Sequence, residues 1–235
     1  MQIIGITGGI GSGKSTIARA LAARGYAVYD CDKEAKRIIA ENPVVQQQII
    51  ALFGEEAFVD GEYNTQYISK CVFSPPSGGA GEGLTPPSGG AGGGLTPPLG
   101  GAGGGLQALN AIVHPAVKED ILSSPPSGGA GGGLLFIESA ILFDSGLDAL
   151  CDRIIVVDAP EDIRIARTIA RDYHGEATPE NINKVRARIR AQDTLSPSRG
   201  SRRGSCSPFS LRLINDGSVS ISDLADTILN WLQKS

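Results

Sequence analysis

The residues most suited to chemistry lie near the start of the chain, at positions 7–16, which read Thr-Gly-Gly-Ile-Gly-Ser-Gly-Lys-Ser-Thr. They contain the pattern Gly-x4-Gly-Lys-Ser and follow the apolar run at residues 3–6. Glycines in such a loop let successive backbone N–H groups turn toward one point, and Lys14 and a helix N-terminus add positive potential there. This predicts a site for a nucleoside triphosphate tail rather than a simple turn, with the Ser15 hydroxyl on a Mg²⁺ ion. The predicted nucleotide-binding residues are Gly9, Ile10, Gly11, Ser12, Gly13, Lys14, Ser15 and Thr16.

Two carboxylates follow the second apolar run, residues 27–29, in the order Asp30-Cys31-Asp32. Phosphoryl transfer needs a carboxylate that orients or deprotonates the acceptor hydroxyl. Because residues of a strand alternate sides, Asp30 and Asp32 should face the same way. We predict that Asp32 is the general base, with Asp30 as the alternative, and a helix cap is the purely structural interpretation.

Three arginines, Arg164, Arg167 and Arg171, recur at helical spacing and should line one helix face. They could close over the donor and stabilise charge during transfer, or simply face solvent. Asp158 ends another apolar run, and its carboxylate could complete the phosphate site or cap the next helix.

Alternating apolar runs and helical patterns predict a parallel sheet covered on both faces, with ligands at the carboxyl ends of its strands. The interval between the second and third strands is too long for one crossover, so it should hold a helical subdomain. Residues 160–192 read as two helices with a mobile joint at 172–177. The predicted strands are residues 2–7, 27–29, 134–143 (mainly the first half), 153–158 and 211–214.

Four similar 11-residue units rich in proline and glycine occupy residues 74–106 in tandem and residues 124–134. Paired prolines resist helix and the glycines resist any ordered state, which predicts flexible loops. A solenoid is the competing interpretation, but one leucine per unit cannot build a continuous core. The Ser/Arg-rich residues 196–210 should form another loop.

Charge and cysteine content narrow the possible classes of protein. The net charge of -4 argues against a nucleic-acid or membrane-surface role. The four cysteines are widely separated, without spacing typical of zinc or a redox pair, and no secretion leader or membrane-spanning run is evident. We therefore expect a cytoplasmic protein, a monomer or weak homo-oligomer, that acts on small molecules.

Several segments together resemble one family, the dephospho-coenzyme A kinases. The chain shows the loop at residues 4–15, the Asp30-Cys31-Asp32 pair, and further motifs in the family's order once the repeats are set aside. These are Leu109-Asn110-Ala111-Ile112-Val113-His114-Pro115, Val157-Asp158-Ala159-Pro160-Glu161, Arg188-Ile189-Arg190-Ala191-Gln192 and Asn215-Asp216-Gly217. The resemblance covers nearly the whole chain apart from the repeats, although residues 196–210 replace a charged helix that the family usually has.

The resemblance implies an α/β, three-layer P-loop kinase fold with a central parallel five-stranded sheet, a helical acceptor-binding insertion and a helical lid. It places the core at residues 1–32, 134–160 and 211–235, the acceptor-binding subdomain at 33–133, and the lid with the Ser/Arg-rich loop at 161–210.

The implied reaction is transfer of the ATP γ-phosphoryl group, with Mg²⁺, to the ribose 3′-hydroxyl of dephospho-coenzyme A. By the same resemblance Asp32 is the base and also contacts the acceptor, Lys14 and Ser15 serve phosphate and metal, and Arg167 or Arg171 contacts ATP. His114 gains an acceptor-binding role, whereas its sequence context alone indicates an ordinary surface histidine in a turn that opens a helix.

Two other functions remain open from the sequence. One is a P-loop kinase for a nucleotide or another small acceptor, and the other is a nucleotide-binding protein whose kinase activity is impaired by the insertions. A guanine-specific switch is disfavoured, because Asn183-Lys184 is followed by Val185 and Arg186 rather than by the base-reading aspartate pattern.

Overall fold

The computed structural model describes residues 1–73, 104–123, 133–195 and 210–234. Within them the strands are β1 (Gln2–Gly8), β2 (Ala27–Asp30), β3 (Phe58–Val59), β4 (Glu62–Tyr63), β5 (Leu134–Glu138), β6 (Arg153–Asp158) and β7 (Ser210–Ile214). The helices are α1 (Lys14–Ala23), α2 (Cys31–Glu41), α3 (Pro43–Phe53), α4 (Thr65–Phe73), α5 (Gly104–Ser123), α6 (Glu161–Asp172), α7 (Pro179–Leu195) and α8 (Ile221–Gln233). Short 3₁₀ turns lie at Glu55–Ala57 and Leu147–Leu150.

The chain divides into two compact units, one made of residues 1–32 and 124–235 and the other of residues 33–123. The first unit contains a five-stranded sheet in the order β2-β5-β1-β6-β7, and every neighbouring pair is parallel. The α/β fold with a central parallel five-stranded sheet is therefore confirmed. The registers bring Asp30, Glu138 and Ile6 side by side, so three strands end at one edge next to the glycine-rich loop.

The core of this sheet unit forms because its strands are apolar on both faces and its helices carry an apolar stripe. Ile4, Ile6 and Phe136 from the strands are fully buried. They pack in one cluster with residues of α1 and α8, among them Ile17, Leu21, Leu224, Ala225 and Ile228. This packing fixes the strand ends that carry the polar residues.

Helices α6 and α7 form a pair with an apolar cluster of its own, made of Ile165, Ile169, Val185 and Ile189. Helix α7 begins as the sequence indicates, because the Thr178 hydroxyl accepts a hydrogen bond from the Asn181 amide and Pro179 occupies the first turn. The apolar contacts of this cluster therefore stabilise the packing of α6 against α7.

The second unit is built mainly of helices and one short hairpin. Asn42 caps α3 by accepting hydrogen bonds from the amides of Val44 and Val45. The Arg37 guanidinium donates to both carboxylate oxygens of Asp120, at 2.9 and 2.8 Å, which ties α2 to α5. Strands β3 and β4 pair antiparallel.

Helix α5 corrects two predictions. Residues 104–106, the end of the third repeat, belong to its first turn rather than to a loop. Gly105 is buried here, and a Cβ on it would lie 3.2 Å from the Val72 Cα and from the Cys71 carbonyl oxygen. The His114-Pro115 pair lies in the interior of α5 and does not open a helix. A proline there costs one backbone hydrogen bond, which the apolar contacts of Val113 and Val117 must offset.

The remaining predictions for the repeats and the Ser/Arg-rich segment fall on residues 74–103, 124–132 and 196–209, which lie outside the described residues. Among the helices that the structure does describe, none combines the length and apolar character needed to cross a bilayer.

Candidate active site

The glycine-rich loop connects β1 directly to α1, as its sequence predicts. Gly13 has a left-handed backbone (φ 90°), and its carbonyl accepts hydrogen bonds from the Thr16 and Ile17 amides, both at 3.1 Å. Gly11 is also left-handed (φ 75°), and a Cβ on it would collide with the Arg164 backbone. The first amides of α1 have no partner within the helix, so they are available to an anion.

Glu138 is a candidate site residue that the sequence analysis did not include. It ends β5, is only 6% exposed, and lies against the loop. Its carboxylate accepts a 2.5 Å hydrogen bond from the Ser15 hydroxyl and forms a 3.3 Å ion pair with the Lys14 ammonium group. A charged residue inside an otherwise apolar strand was the available signal.

The oxygen atoms of Ser15 and Glu138 fit a magnesium ion. Mg²⁺ prefers hard oxygen ligands and commonly takes only one or two from the protein, with phosphate oxygens and water completing the shell. No group of three or more metal-binding His, Cys, Asp or Glu side chains occurs in the residues that the structure describes. The donor set is therefore of the kind that holds a metal together with a phosphate chain.

Asp30 and Asp32 take different positions from those that strand alternation predicts. Asp30 is the last residue of β2, but Cys31 already begins α2, so Asp32 lies exposed in the first helical turn. The strand alternation behind the expected common orientation therefore ends at Asp30, because a helix turns by about 100° per residue. Burial raises the pKa of the Cys31 thiol to about 12, and the charges of Asp32 and Asp30 add to the effect. This thiol therefore stays neutral beside both candidate bases.

The three arginines of α6 have three different environments. Arg164 is 6% exposed, which excludes a solvent-facing role, and its guanidinium forms a two-point pair with Asp193 at 2.9 and 3.1 Å. Arg171 pairs with the adjacent Asp172 and remains largely exposed. Two of the three contact the loop: Arg164 donates from Nε to the Ile10 carbonyl oxygen at 2.9 Å, and Arg167 donates to the Ser12 carbonyl oxygen at 3.4 Å.

Asn215 follows β7 and joins the same cluster. It is 2% exposed, and its side-chain amide donates to the Ser12 carbonyl oxygen at 2.9 Å. Arg167 donates to both the backbone and side-chain oxygens of Asn215, at 2.9 and 3.1 Å. The structure thus brings together the loop that follows β1 and the residue that follows β7, which are the first and last strands in the sequence.

The Asp158 carboxylate bonds to residues outside the glycine-rich loop. One carboxylate oxygen accepts a 2.9 Å hydrogen bond from the Ala159 amide, and the other pairs with Arg212 on the neighbouring strand. The prediction that Asp158 caps the next helix is wrong, because Ala159 precedes α6 and the N-cap residue is Pro160, without a side-chain cap hydrogen bond. His114 lies half-buried in the second unit, in the interior of α5.

Comparison with known proteins identifies the family. The family model described as dephospho-CoA kinase matches residues 2–80 and 104–199. The chain belongs to the dephospho-CoA kinase family. A dephospho-CoA kinase from Porphyromonas gingivalis is 38% identical over 172 residues, which is 73% of this chain and 71% of the relative. One from Bacteroides fragilis is 31% identical over 214 residues, covering 91% of this chain and 84% of the relative.

Solved structures agree with this family fold. A Thermus thermophilus protein named TT1252 superposes with a TM-score of 0.66 at 29% identity, covering 99% of this chain and 97% of that one. A dephospho-CoA kinase from Campylobacter jejuni gives 0.50 at 16% identity, with 99% and 96% covered. A shikimate kinase from Acinetobacter baumannii gives 0.50 at 14% identity, with 100% and 94% covered, which shows the shared fold.

Proposed function

We propose that this protein transfers the γ-phosphoryl group of ATP to the ribose 3′-hydroxyl of dephospho-coenzyme A, which is the last step of coenzyme A synthesis. The observation that carries the proposal is membership of the dephospho-CoA kinase family together with an intact phosphate loop. Lys14, Ser15 and Glu138 meet at the sheet edge where such a fold binds its ligands.

The phosphate loop would hold the donor. The loop at residues 9–16 would bind the β- and γ-phosphates through the Lys14 ammonium group and through its remaining amides, and the N-terminus of α1 adds a favourable dipole. The amides of Ile10, Ser12 and Thr16 are not among them, because they donate to Gln192, Gly9 and Gly13. Ser15 and Glu138 would hold Mg²⁺, which neutralises charge on the transferring group when it is bound. The Glu138 carboxylate also pairs with Lys14, so it contacts both the residue that would bind phosphate and the serine that would bind the metal.

Asp32 would act on the acceptor. It accepts the proton of the 3′-hydroxyl while the oxygen attacks the γ-phosphorus and ADP departs. Asp30 is the alternative base, and it is adjacent in register to Glu138.

Arg167 and Arg171 would stabilise the charge that develops during transfer. Arg167 is supported by its contact with the loop at Ser12, whereas Arg171 would first have to release Asp172. We further propose that residues 33–123, including His114, bind the acceptor, and that residues 161–195 form the lid.

The test is turnover with purified full-length protein, ATP and Mg²⁺ in parallel with dephospho-coenzyme A, AMP, UMP and shikimate. Turnover with dephospho-coenzyme A alone supports the proposal, whereas turnover only with another acceptor would replace it. Formation of ADP must be matched by formation of coenzyme A, because slow ATP hydrolysis would also release ADP. Light scattering checks the expected monomer or weak homo-oligomer.

The variant D32N should lose about 10²- to 10⁴-fold in kcat, the range typical of a removed general base. Its affinity for ATP should stay within twofold of the original, roughly a few tenths of a kcal/mol. D30N is the matched comparison at the neighbouring carboxylate. A large loss in D30N with little change in D32N would move the base to Asp30.

A further inference from the structure

We propose that the α6–α7 pair sets the shape of the phosphate loop through one residue, Ile10, and that Gln192 and Arg164 are its positioning residues. The proposed function uses lid arginines that contact the nucleotide, whereas this proposal concerns residues that position the phosphate loop. It assigns a role to Gln192, whose motif the proposed reaction otherwise leaves unused.

Ile10 is held at its backbone from both sides. Its amide donates a 2.7 Å hydrogen bond to the side-chain oxygen of Gln192 on α7. Its carbonyl accepts a 2.9 Å hydrogen bond from the Nε atom of Arg164 on α6. A loop residue that is bonded through both its N–H and its C=O has little freedom to rotate its peptide planes.

The Ile10 side chain adds a third attachment. It packs against the apolar cluster of Ile165, Ile169, Val185 and Ile189 inside the helix pair. The Ile10 side chain is partly buried, so this contact contributes a part of what full burial of an isoleucine would. Ile10 is therefore a loop residue whose side chain packs against the core of the α6–α7 pair.

Arg164 is itself fixed from α7. Its guanidinium pairs with Asp193, the residue that follows Gln192, and its side chain is 8% exposed. The Arg164 backbone also lies against Gly11, where any Cβ would collide. One end of α7 thus acts on the loop twice, directly through Gln192 and indirectly through Asp193 and Arg164.

The consequence is a coupling between nucleotide binding and the position of the helix pair. If the two helices move away, Ile10 loses both hydrogen bonds and its apolar contact, and the peptide planes on either side of it become free to rotate. By thermodynamic linkage, a nucleotide that favours the bound loop shape must stabilise the helix pair to the same extent.

The decisive variant is Gln192→Met, which keeps the length and volume of the side chain but removes the oxygen that accepts from the Ile10 amide. Loss of one net hydrogen bond should weaken binding of magnesium AMP-PNP about fivefold by calorimetry. KM for ATP should rise by a similar factor, while KM for the acceptor stays unchanged. Asp193→Asn should act in the same direction, about twofold, because it loosens Arg164 without touching the loop.

The matched control is Arg186→Ala. Arg186 forms a 3.4 Å ion pair with Glu161 and so also joins α6 to α7, but it lies outside the Ile10 contacts. It should leave AMP-PNP affinity unchanged. If Q192M and R186A weaken nucleotide binding equally, or if Q192M lowers the melting temperature with no change in nucleotide affinity, the residues are merely structural and the proposal is wrong.

Hydrogen exchange supplies the second readout. In the original protein, AMP-PNP with Mg²⁺ should slow exchange in residues 161–193 as well as in the loop. In Q192M the slowing within the helices should shrink by at least half, and an unchanged pattern would overturn the coupling.

The inference rests on the nucleotide half of the proposed function, and the two can fail separately. If the protein phosphorylates an acceptor other than dephospho-coenzyme A, its affinity for AMP-PNP and the dependence of that affinity on Gln192 should be unchanged. Conversely, a Q192M protein that binds and turns over like the original would refute the coupling while the kinase reaction stands.

Discussion

At the scale of single residues, the site depends on charged and polar side chains that bond to one another. Lys14 and Ser15 both use Glu138, so the loop carries its positive charge next to a buried negative one. A charge buried without a partner would cost several kcal/mol. The ion pair with Lys14 therefore offsets the cost of burying the Glu138 carboxylate.

Replacement of Glu138 by glutamine should separate its contact with Lys14 from its proposed role as a magnesium ligand. We expect E138Q to bind ATP more tightly than the original protein when EDTA is present, because Lys14 loses its counter-ion. With Mg²⁺ its activity should fall about 10- to 100-fold, the range for loss of a group that supports a bound metal, and its magnesium requirement should rise. Calorimetry with and without metal and a magnesium titration of turnover measure the two effects.

The control is D158N, which removes the carboxylate at the end of β6 that pairs with Arg212 instead of the loop. It should change the magnesium requirement by less than twofold. A large change would restore Asp158 as part of the phosphate site.

At the scale of elements, the joint between α6 and α7 is held by charge. The Arg171 and Arg188 guanidinium groups both bind Asp172, from the end of α6 and from α7. Their hydrogen bonds and charges, with Arg171 the larger contributor, lower the pKa of Asp172 to about 2. Contacts at the far end of the pair thus complement those that Ile10 makes near the loop.

The lowered pKa predicts a pH dependence of stability. Because the carboxylate is favoured in the folded state, its contribution is fully present above about pH 4 and is lost as the pH falls toward 2. With allowance for solvent screening of partly exposed groups, the contribution is about 1 kcal/mol. D172N should therefore be less stable than the original at pH 6, and the difference should shrink by pH 3 in urea unfolding curves. A difference that is independent of pH would contradict this assignment.

At the scale of the whole molecule, the chain divides into two compact units, and the long repeat block interrupts the sequence of the second one. Helices α4 and α5 pack closely where the block departs and returns, because Gly105 lies against Cys71 and Val72. This contact between described residues brings the two ends of the interruption together.

Replacement of residues 74–103 by a short glycine-serine turn should therefore preserve folding and turnover. Closure entropy changes by only about 0.6 kcal/mol for each halving of a flexible loop, so the shorter loop should leave the melting temperature equal or slightly higher. Differential scanning calorimetry and turnover of the deletion protein measure this. G105V in the full-length chain is the contrast, because it should destabilise the α4–α5 contact, and a deletion that fails to fold would assign the block a structural role.

The sequence by itself determined the parts of this protein that depend on local chemistry. The glycine pattern at residues 8–15 predicted a strand, a loop and a helix, and the apolar runs predicted all five strands of the sheet to within a few residues. The family prediction is confirmed by the match of its model. These features can be predicted from the sequence because backbone freedom, hydrophobic periodicity and helix capping each depend on only a few neighbouring residues.

The tertiary structure decided what depends on residues far apart in the chain. Nothing near Glu138 in sequence indicates that it binds Lys14 and Ser15, because they meet only when β5 pairs with β1. The place of Pro115 inside α5 likewise follows from packing that outweighs its poor helix propensity. Gln192 and Ile10 are 182 positions apart in the sequence, so the hydrogen bond between α7 and the loop can be recognised only in the folded chain.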